Sequence, residues 1–263
     1  DVIAFLELCL TGYSVRDLLT DPTLLEATEQ GLMQICEGTR SLSTTLIVGA
    51  PLRVNRVLYN TAIVIHRGQI LGVVPKISLP RNGEFEETRW FQSGGGQTHT
   101  VWRWYGQDIP FGRDLIFEAQ QESQIRFGVE ICEDLWHVNA PSDDLYANGA
   151  LAVFNLSASN FLVGKAERRR LLASAAAIRG RGAYAYVAAG PLESSTDLAF
   201  DADAFITEQD EVLVSSTRFS RDAQWIATDL DLRALHNART KDQAHSEKVR
   251  HAYRTVYFEL NGQ

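Results

Sequence analysis

Residues 125–156, IRFGVEICEDLWHVNAPSDDLYANGALAVFNL, set two apolar strand-like runs, 125–129 and 151–156, around a short helical pattern at 143–147 that Asn148-Gly149 would end. Short apolar runs bounded by turn signals are read as buried strands. The alternation continues downstream. Residues 168–179 are Ala/Leu-rich and predict a helix closed by Gly180, and 184–189 predict the next strand. Upstream, 2–5 and 45–48 read as strands, the second ending at Gly49. Between them, Thr23-Leu24-Leu25-Glu26 has capping-box form and opens a helix with an apolar stripe at Leu25, Leu32, Ile35 and Cys36. Residues 61–66 and 70–74 flank Arg67-Gly68-Gln69 as a hairpin, and 99–104 alternate as a strand after the loop Gly94-Gly95-Gly96. A last hairpin spans 204–207 and 212–215, and the charged stretch 242–259 predicts a helix. Helices interleaved with strands and hairpins predict a layered α/β sandwich with mixed sheets.

The 263 residues are enough to bury roughly three quarters of the unfolded surface. Hydrophobic residues at 45% and charged residues at 22% are ordinary globular values. No linker or low-complexity run divides residues 1–263, so one domain is expected. A net charge of −8 argues against general nucleic-acid binding, which needs a basic surface. The basic run 165–170 reads as a solvated helix face. No apolar run reaches the roughly 18–20 residues of a membrane span. Three cysteines, Cys9, Cys36 and Cys132, cannot all pair with one another, which suits a reducing, cytoplasmic setting. The chain opens directly on an apolar run, Asp1-Val2-Ile3-Ala4-Phe5, as though cut into a longer sequence.

Cys132 stands where the run 125–129 ends, with Glu130 before it and Glu133 and Asp134 after. Strand ends are where α/β proteins place reactive groups, although a free cysteine is also a common core residue. A thiol of pKa about 8.5 is a weak nucleophile at neutral pH, and adjacent carboxylates raise its pKa further. It needs a base and a cation. Glu7, inside the apolar stretch Phe5-Leu6-Glu7-Leu8, and Lys76, just after 70–74 and Pro75, are charges set where apolar runs end. Each alone is an ordinary strand-end charge; three in this pattern suggest one site built from the strand ends of a sheet. Cys9 and Cys36 read as core. There is no H-E-x-x-H, C-x-x-C or paired His at metal spacing, no G-x-S-x-G elbow and no phosphate loop.

These residues resemble the three signatures of the nitrilase (carbon-nitrogen hydrolase) superfamily in its order Glu, Lys, Cys. The matching stretches are Glu7-Leu8-Cys9-Leu10-Thr11-Gly12-Tyr13, Pro75-Lys76-Ile77-Ser78-Leu79-Pro80 with Glu84-Phe85-Glu86-Glu87, and Gly128-Val129-Glu130-Ile131-Cys132-Glu133-Asp134-Leu135-Trp136. Asn155-Leu156-Ser157-Ala158-Ser159, Gly164-Lys165 and residues 193–201 are similar to the amide-hydrolysing domain of glutamine-dependent NAD⁺ synthetases. The resemblance runs over nearly the whole chain. It implies an αββα sandwich, here lacking the family's first strand and helix, and hydrolysis of the glutamine side-chain amide to supply ammonia for NAD⁺ synthesis. Glu7 would be the base, Cys132 the nucleophile that forms a thioester, and Lys76 with the Glu133 backbone N–H the oxyanion donors. Glu84 matches a further acid that helps hold the site, and Ser159 and Lys165 match contacts to glutamine. Two positions depart from the pattern: Leu6 replaces a proline, and Asn82 replaces a tyrosine that contacts glutamine. The implied partners are glutamine or another small amide, a NAD⁺ synthetase domain and further copies of the chain in a homo-oligomer. No cofactor is expected in this domain; ATP and Mg²⁺ would belong to the synthetase domain, which this sequence lacks. Two other readings stay open: a stand-alone amidase on another small amide or N-carbamoyl compound, and a non-catalytic scaffold that kept the fold.

Overall fold

The computed structural model describes residues 1–241 and 251–260. Two mixed sheets stack face to face with helices outside them. One sheet has the order β1-β2-β3-β4-β6-β5, formed by β1 (Val2–Ala4), β2 (Thr45–Val54), β3 (Val57–His66), β4 (Gln69–Pro75), β5 (Thr100–Trp104) and β6 (Gln107–Phe111). The other runs β12-β11-β10-β9-β8-β7-β13, with β7 (Leu115–Ala119), β8 (Glu122–Ile131), β9 (Ala152–Ser157), β10 (Ala183–Ala188), β11 (Ala204–Glu208), β12 (Glu211–Ser215) and β13 (Arg254–Phe258). β8, β9 and β10 are parallel neighbours, which explains their continuous apolar runs: sheets covered on both faces need no polar alternation.

Three buried layers follow from this. Between the sheets, Ile47, Val64 and Val74 meet Phe117, Phe127, Val129, Ile131 and Phe258. Outside the first sheet, Leu32 and Cys36 of α1 (Pro22–Gly38) cover Val48, Ile63 and Ile65. Outside the second, Leu145 and Tyr146 of α2 (Pro141–Ala147) and Ala173, Ala176 and Ala177 of α3 (Lys165–Gly180) cover Val153, Tyr184 and Phe205. A fourth helix, α4 (Leu232–Thr240), inserts Leu235 beside the inter-sheet core. The result is the expected αββα sandwich. No helix among the described residues is long and apolar enough to cross a membrane.

Four expectations change. α1 is capped by Asp21, whose carboxylate accepts from the N–H groups of Thr23 (2.7 Å) and Leu24 (3.3 Å), so the helix starts at Pro22 rather than at a Thr23 box. Of the stretch predicted to be helical at 242–259, residues 242–250 lie outside the described residues. Arg254–Phe258 is a strand parallel to β7, because Val256 and Phe258 pack into the inter-sheet core. The basic run 165–170 is only in part a solvated face: Arg168 is exposed, while Lys165 and Arg170 are half-buried. Arg169 is fully buried, bonded to Asp203 at 2.9 Å and Asp201 at 3.3 Å. Finally, the charged strand ends belong to both sheets, not to one.

Candidate active site

β1 is parallel to β2, and β3 is antiparallel to both β2 and β4, so β1 and β4 point the same way. Their carboxyl ends deliver Glu7 and Lys76. From the facing sheet, β8 delivers Cys132 and β9 delivers Ala158. Lys76 Nζ donates to Glu7 Oε1 at 2.7 Å. Glu7 also accepts from Asn60 Nδ2 at 2.7 Å on the same oxygen and from the Ala158 N–H at 2.6 Å on the other. All of these side chains are buried. Ion pairs this dry need further hydrogen bonds to offset desolvation, and Asn60 and Ala158 supply them.

Cys132 is the first residue of a 3₁₀ turn, Cys132–Trp136, and has φ +48°. A non-glycine residue in the left-handed region costs about 1–2 kcal/mol and is held there only by its surroundings. Asp134 does much of the holding. Its carboxylate accepts from the N–H groups of Ile131 (3.1 Å), Ile77 (3.2 Å) and Ser78 (2.7 Å), which ties the Cys132 turn to the Lys76 loop. Burial raises the Asp134 carboxyl to about 6 against these bonds. The Cys132 N–H is given to Asn155 Oδ1 at 3.0 Å. The Glu133 N–H lies in the first turn, where no intrahelical carbonyl is available to it.

Charge decides what the thiol can do. Burial pushes the Cys132 thiol well up, the Glu7 carboxylate adds to this, and the Lys76 ammonium only partly offsets both. The resting group is therefore a thiol that needs a base at the moment of attack. Burial alone would pull Lys76 down, but Glu7 and Glu87 outweigh it and keep the ammonium charged. Cys9 and Cys36 are each pushed up to about 11, chiefly by burial.

The second acid on Lys76 is Glu87, not Glu84. Lys76 Nζ donates to Glu87 Oε1 at 2.6 Å, and Tyr13 Oη donates to the same oxygen at 2.7 Å. Burial is the first cause of a raised Glu87 carboxyl. Glu84 is exposed and bonds Asn160, which in turn accepts from Lys165. The Lys165 ammonium stands 5.4 Å from the Trp136 ring and 5.8 Å from that of Phe85. Burial lowers its pKa, while Cys132 and Glu133 act on it in the other direction. Ser159 is buried beyond β9, Glu133 is half-buried, and Asn82 is exposed with its carbonyl accepting from the Phe85 N–H. Glu7, Lys76 and Cys132 thus come together with Glu87, Asn60, Asp134 and the Ala158 N–H, which sequence reasoning left out. Two of these left a readable signal: Asn60, a lone amide in the mostly apolar strand β3, and Asp134, an acid beside the thiol. A separate groove of about 1140 Å³, lined by residues such as Ile3, Phe154, Leu192 and Trp225, takes in none of the three.

Residues 1–196 match the carbon-nitrogen hydrolase family model. The chain is 40% identical to the glutamine-dependent NAD(+) synthetase of Mycobacterium tuberculosis, over 98% of this chain and 39% of that protein. It is 41% identical to the synthetase of that name from Mycobacterium leprae, over 91% of this chain and 35% of that one. The chain thus spans well under half the length of these relatives. A crystal structure of a glutamine-dependent NAD(+) synthetase from Cytophaga hutchinsonii superposes with a TM-score of 0.73 at 27% identity, covering 84% of this chain and 35% of that one. A carbon-nitrogen hydrolase from Helicobacter pylori shares the fold, with a TM-score of 0.69 at 16% identity over 92% of this chain and 80% of that one. A family match across most of the chain, falling on the segments that bring Glu7, Lys76 and Cys132 together, shows that this enzyme belongs to the carbon-nitrogen hydrolase family.

Proposed function

We propose that the chain hydrolyses the side-chain amide of glutamine through a Cys132 thioester and supplies the released ammonia to a NAD⁺ synthetase domain. The observation that carries the reading is a buried thiol facing one ammonium and two carboxylates. Glu7 takes the thiol proton as sulfur attacks the amide carbon. Lys76 and the Glu133 N–H receive the oxyanion, and ammonia leaves with the proton that Glu7 returns. Water then cleaves the thioester, with Glu7 again the base. Lys165, between two aromatic faces, supplies a cation for the carboxylate of the amino-acid end, beside Ser159. The relatives' name supports glutamine as the amide and NAD⁺ synthesis as the destination of its nitrogen. A diazoketone analogue of glutamine should alkylate Cys132 and stop glutamate release, and Cys132→Ala should abolish both. Mass spectrometry placing the adduct on Cys9 or Cys36 would overturn the assignment.

A further inference from the structure

Beneath the nucleophile lies a second polar system that the proposed chemistry does not use. Glu130, Asn155, Ser157 and Tyr184 are each no more than 1% exposed. They come from three adjacent parallel strands: Glu130 from β8, Asn155 and Ser157 from β9, Tyr184 from β10. The Cys132 N–H donates to Asn155 Oδ1 at 3.0 Å, and Ser157 Oγ donates to the same oxygen at 2.7 Å. Asn155 Nδ2 donates to Tyr184 Oη at 2.9 Å, and Tyr184 Oη donates to Glu130 Oε1. The other Glu130 oxygen accepts from the Ser142 N–H at 2.7 Å.

From the Cys132 N–H through Asn155 and Tyr184 the bonds run one way, towards Glu130; Ser157 Oγ joins at Asn155 Oδ1, and Asn155 Nδ2 makes only a longer direct bond of 3.5 Å to Glu130 Oε1. An amide side chain has an acceptor end and a donor end, and nothing intrinsic to Asn155 says which faces Cys132. The order is imposed from the far end. Burial raises the Glu130 carboxyl to about 7 against the bond from Tyr184; in its ionised form Glu130 only accepts, so Tyr184 gives it the O–H. The phenol oxygen is then left to accept from Nδ2, which turns Oδ1 towards the Cys132 N–H. A reversed Asn155 would set N–H against N–H in a dry site, a conflict costing about 1–3 kcal/mol for the unsatisfied donor.

We propose that Glu130, Tyr184 and Asn155 form a polarity relay of positioning residues that locks the Cys132 peptide. The relay holds Cys132 in its left-handed conformation and aims the next N–H, that of Glu133, at the developing oxyanion. It rests on Cys132 being the nucleophile. The Cys132 N–H, being committed to Asn155, is not an oxyanion donor; the relay spends that group to orient its neighbour.

The relay acts on amide hydrolysis but not on thiol chemistry that develops no oxyanion. That separates it from a general packing role. In the full chain, Tyr184→Phe removes only the middle hydroxyl. Its kcat for glutamine hydrolysis should fall at least about tenfold, the scale of a slightly misplaced catalytic group. KM should stay within about twofold, and so should the rate at which iodoacetamide alkylates Cys132, since that displacement needs no oxyanion donor. If Tyr184→Phe does not fold, Glu130→Gln is read by the same pair of rates. Its amide must either oppose the Ser142 N–H or reverse the relay. An unchanged kcat overturns the relay. So does a parallel fall in kcat and alkylation, which would mean a loosened turn. Cys132→Ala separates the two readings. If it still hydrolyses glutamine, the nucleophile assignment fails; if it is inactive while Tyr184→Phe matches wild type, only the relay fails.

Discussion

The Lys76 ammonium is sealed from water between the carboxylates of Glu7 and Glu87. Removing it leaves two buried acids facing each other, and breaking such a cluster from one side typically costs about 3–5 kcal/mol. Lys76→Met should therefore lower both stability and turnover, with kcat falling at least ~10²-fold, the scale of losing one oxyanion contact. Lys165 is placed differently, over Trp136 and Phe85 rather than against Glu7 and Glu87. A contact to the non-reacting end of a substrate is equal in ground and transition states, so Lys165→Met should mainly raise KM. Steady-state glutamate release on the two variants checks this; an equal loss of kcat with unchanged KM would remove Lys165 as a substrate contact. The same residues show how far a sequence can be read. Glu7, Lys76 and Cys132 stood out because each is a polar group at the end of an apolar run. Glu84-Phe85-Glu86-Glu87 offers three acids in four positions, and only the backbone path into the 3₁₀ turn Glu87–Arg89 selects which one turns inward. Asp134 was visible as an acid beside the thiol, but its role as a clamp between two loops depends on tertiary distance, which no local pattern encodes.

At the scale of elements, the loop that carries Glu7 is pressed against β2. The backbone of Leu6 to Leu8 runs so close to Gly49 that a Cβ there would sit 2.4 Å from Leu8 N and 2.6 Å from Leu6 O. Both are backbone atoms, so no side chain can turn aside. Gly49→Ala should displace the loop, cost about 1–3 kcal/mol as an overpacked site, and lower kcat because Glu7 moves with it. Denaturant unfolding with parallel turnover measurements tests this, and unchanged turnover would mean that the loop adjusts without moving its carboxylate. Periodicity located β3 and β4, β8 to β12, α1 and α3, since each carries enough apolar residues to declare its face. It passed over β7, whose five buried residues show no alternation, and α4, which buries only Leu235. β13 was hidden by charged neighbours: Arg254-Thr255-Val256-Tyr257-Phe258 is a β-branched and aromatic strand next to a helix-like composition.

Across the whole molecule, the site exists only where two sheets face each other, so whatever fixes their relative position also fixes the triad. β13 contributes to this directly. From the edge of the second sheet, Arg254 forks onto Asp114, with Nε and Nη2 each 2.9 Å from a carboxylate oxygen. It also reaches the first sheet, donating to the carbonyls of Phe111 at 2.9 Å and Thr100 at 3.2 Å. One guanidinium thus bonds the hairpin of β5 and β6 to the strands of the opposite layer. Asp114 is 3% exposed at its side chain and Arg254 is 23% exposed. Losing the cation would strand a nearly dry carboxylate, although partial solvent access to Arg254 moderates the effect. Arg254→Met should cost on the order of 3 kcal/mol, towards the lower end for broken buried pairs. Arg254→Lys should recover only part of that, because a point ammonium cannot reproduce a planar fork that serves a carboxylate and two carbonyls together. None of Arg254's hydrogen bonds reaches Glu7, Lys76 or Cys132, so kcat well below the unfolding temperature should stay within about twofold of wild type. Urea midpoints for the three proteins, with turnover measured on each, decide the matter. Full rescue by lysine would mean that charge alone, rather than the forked bridge between layers, holds the sheets in register.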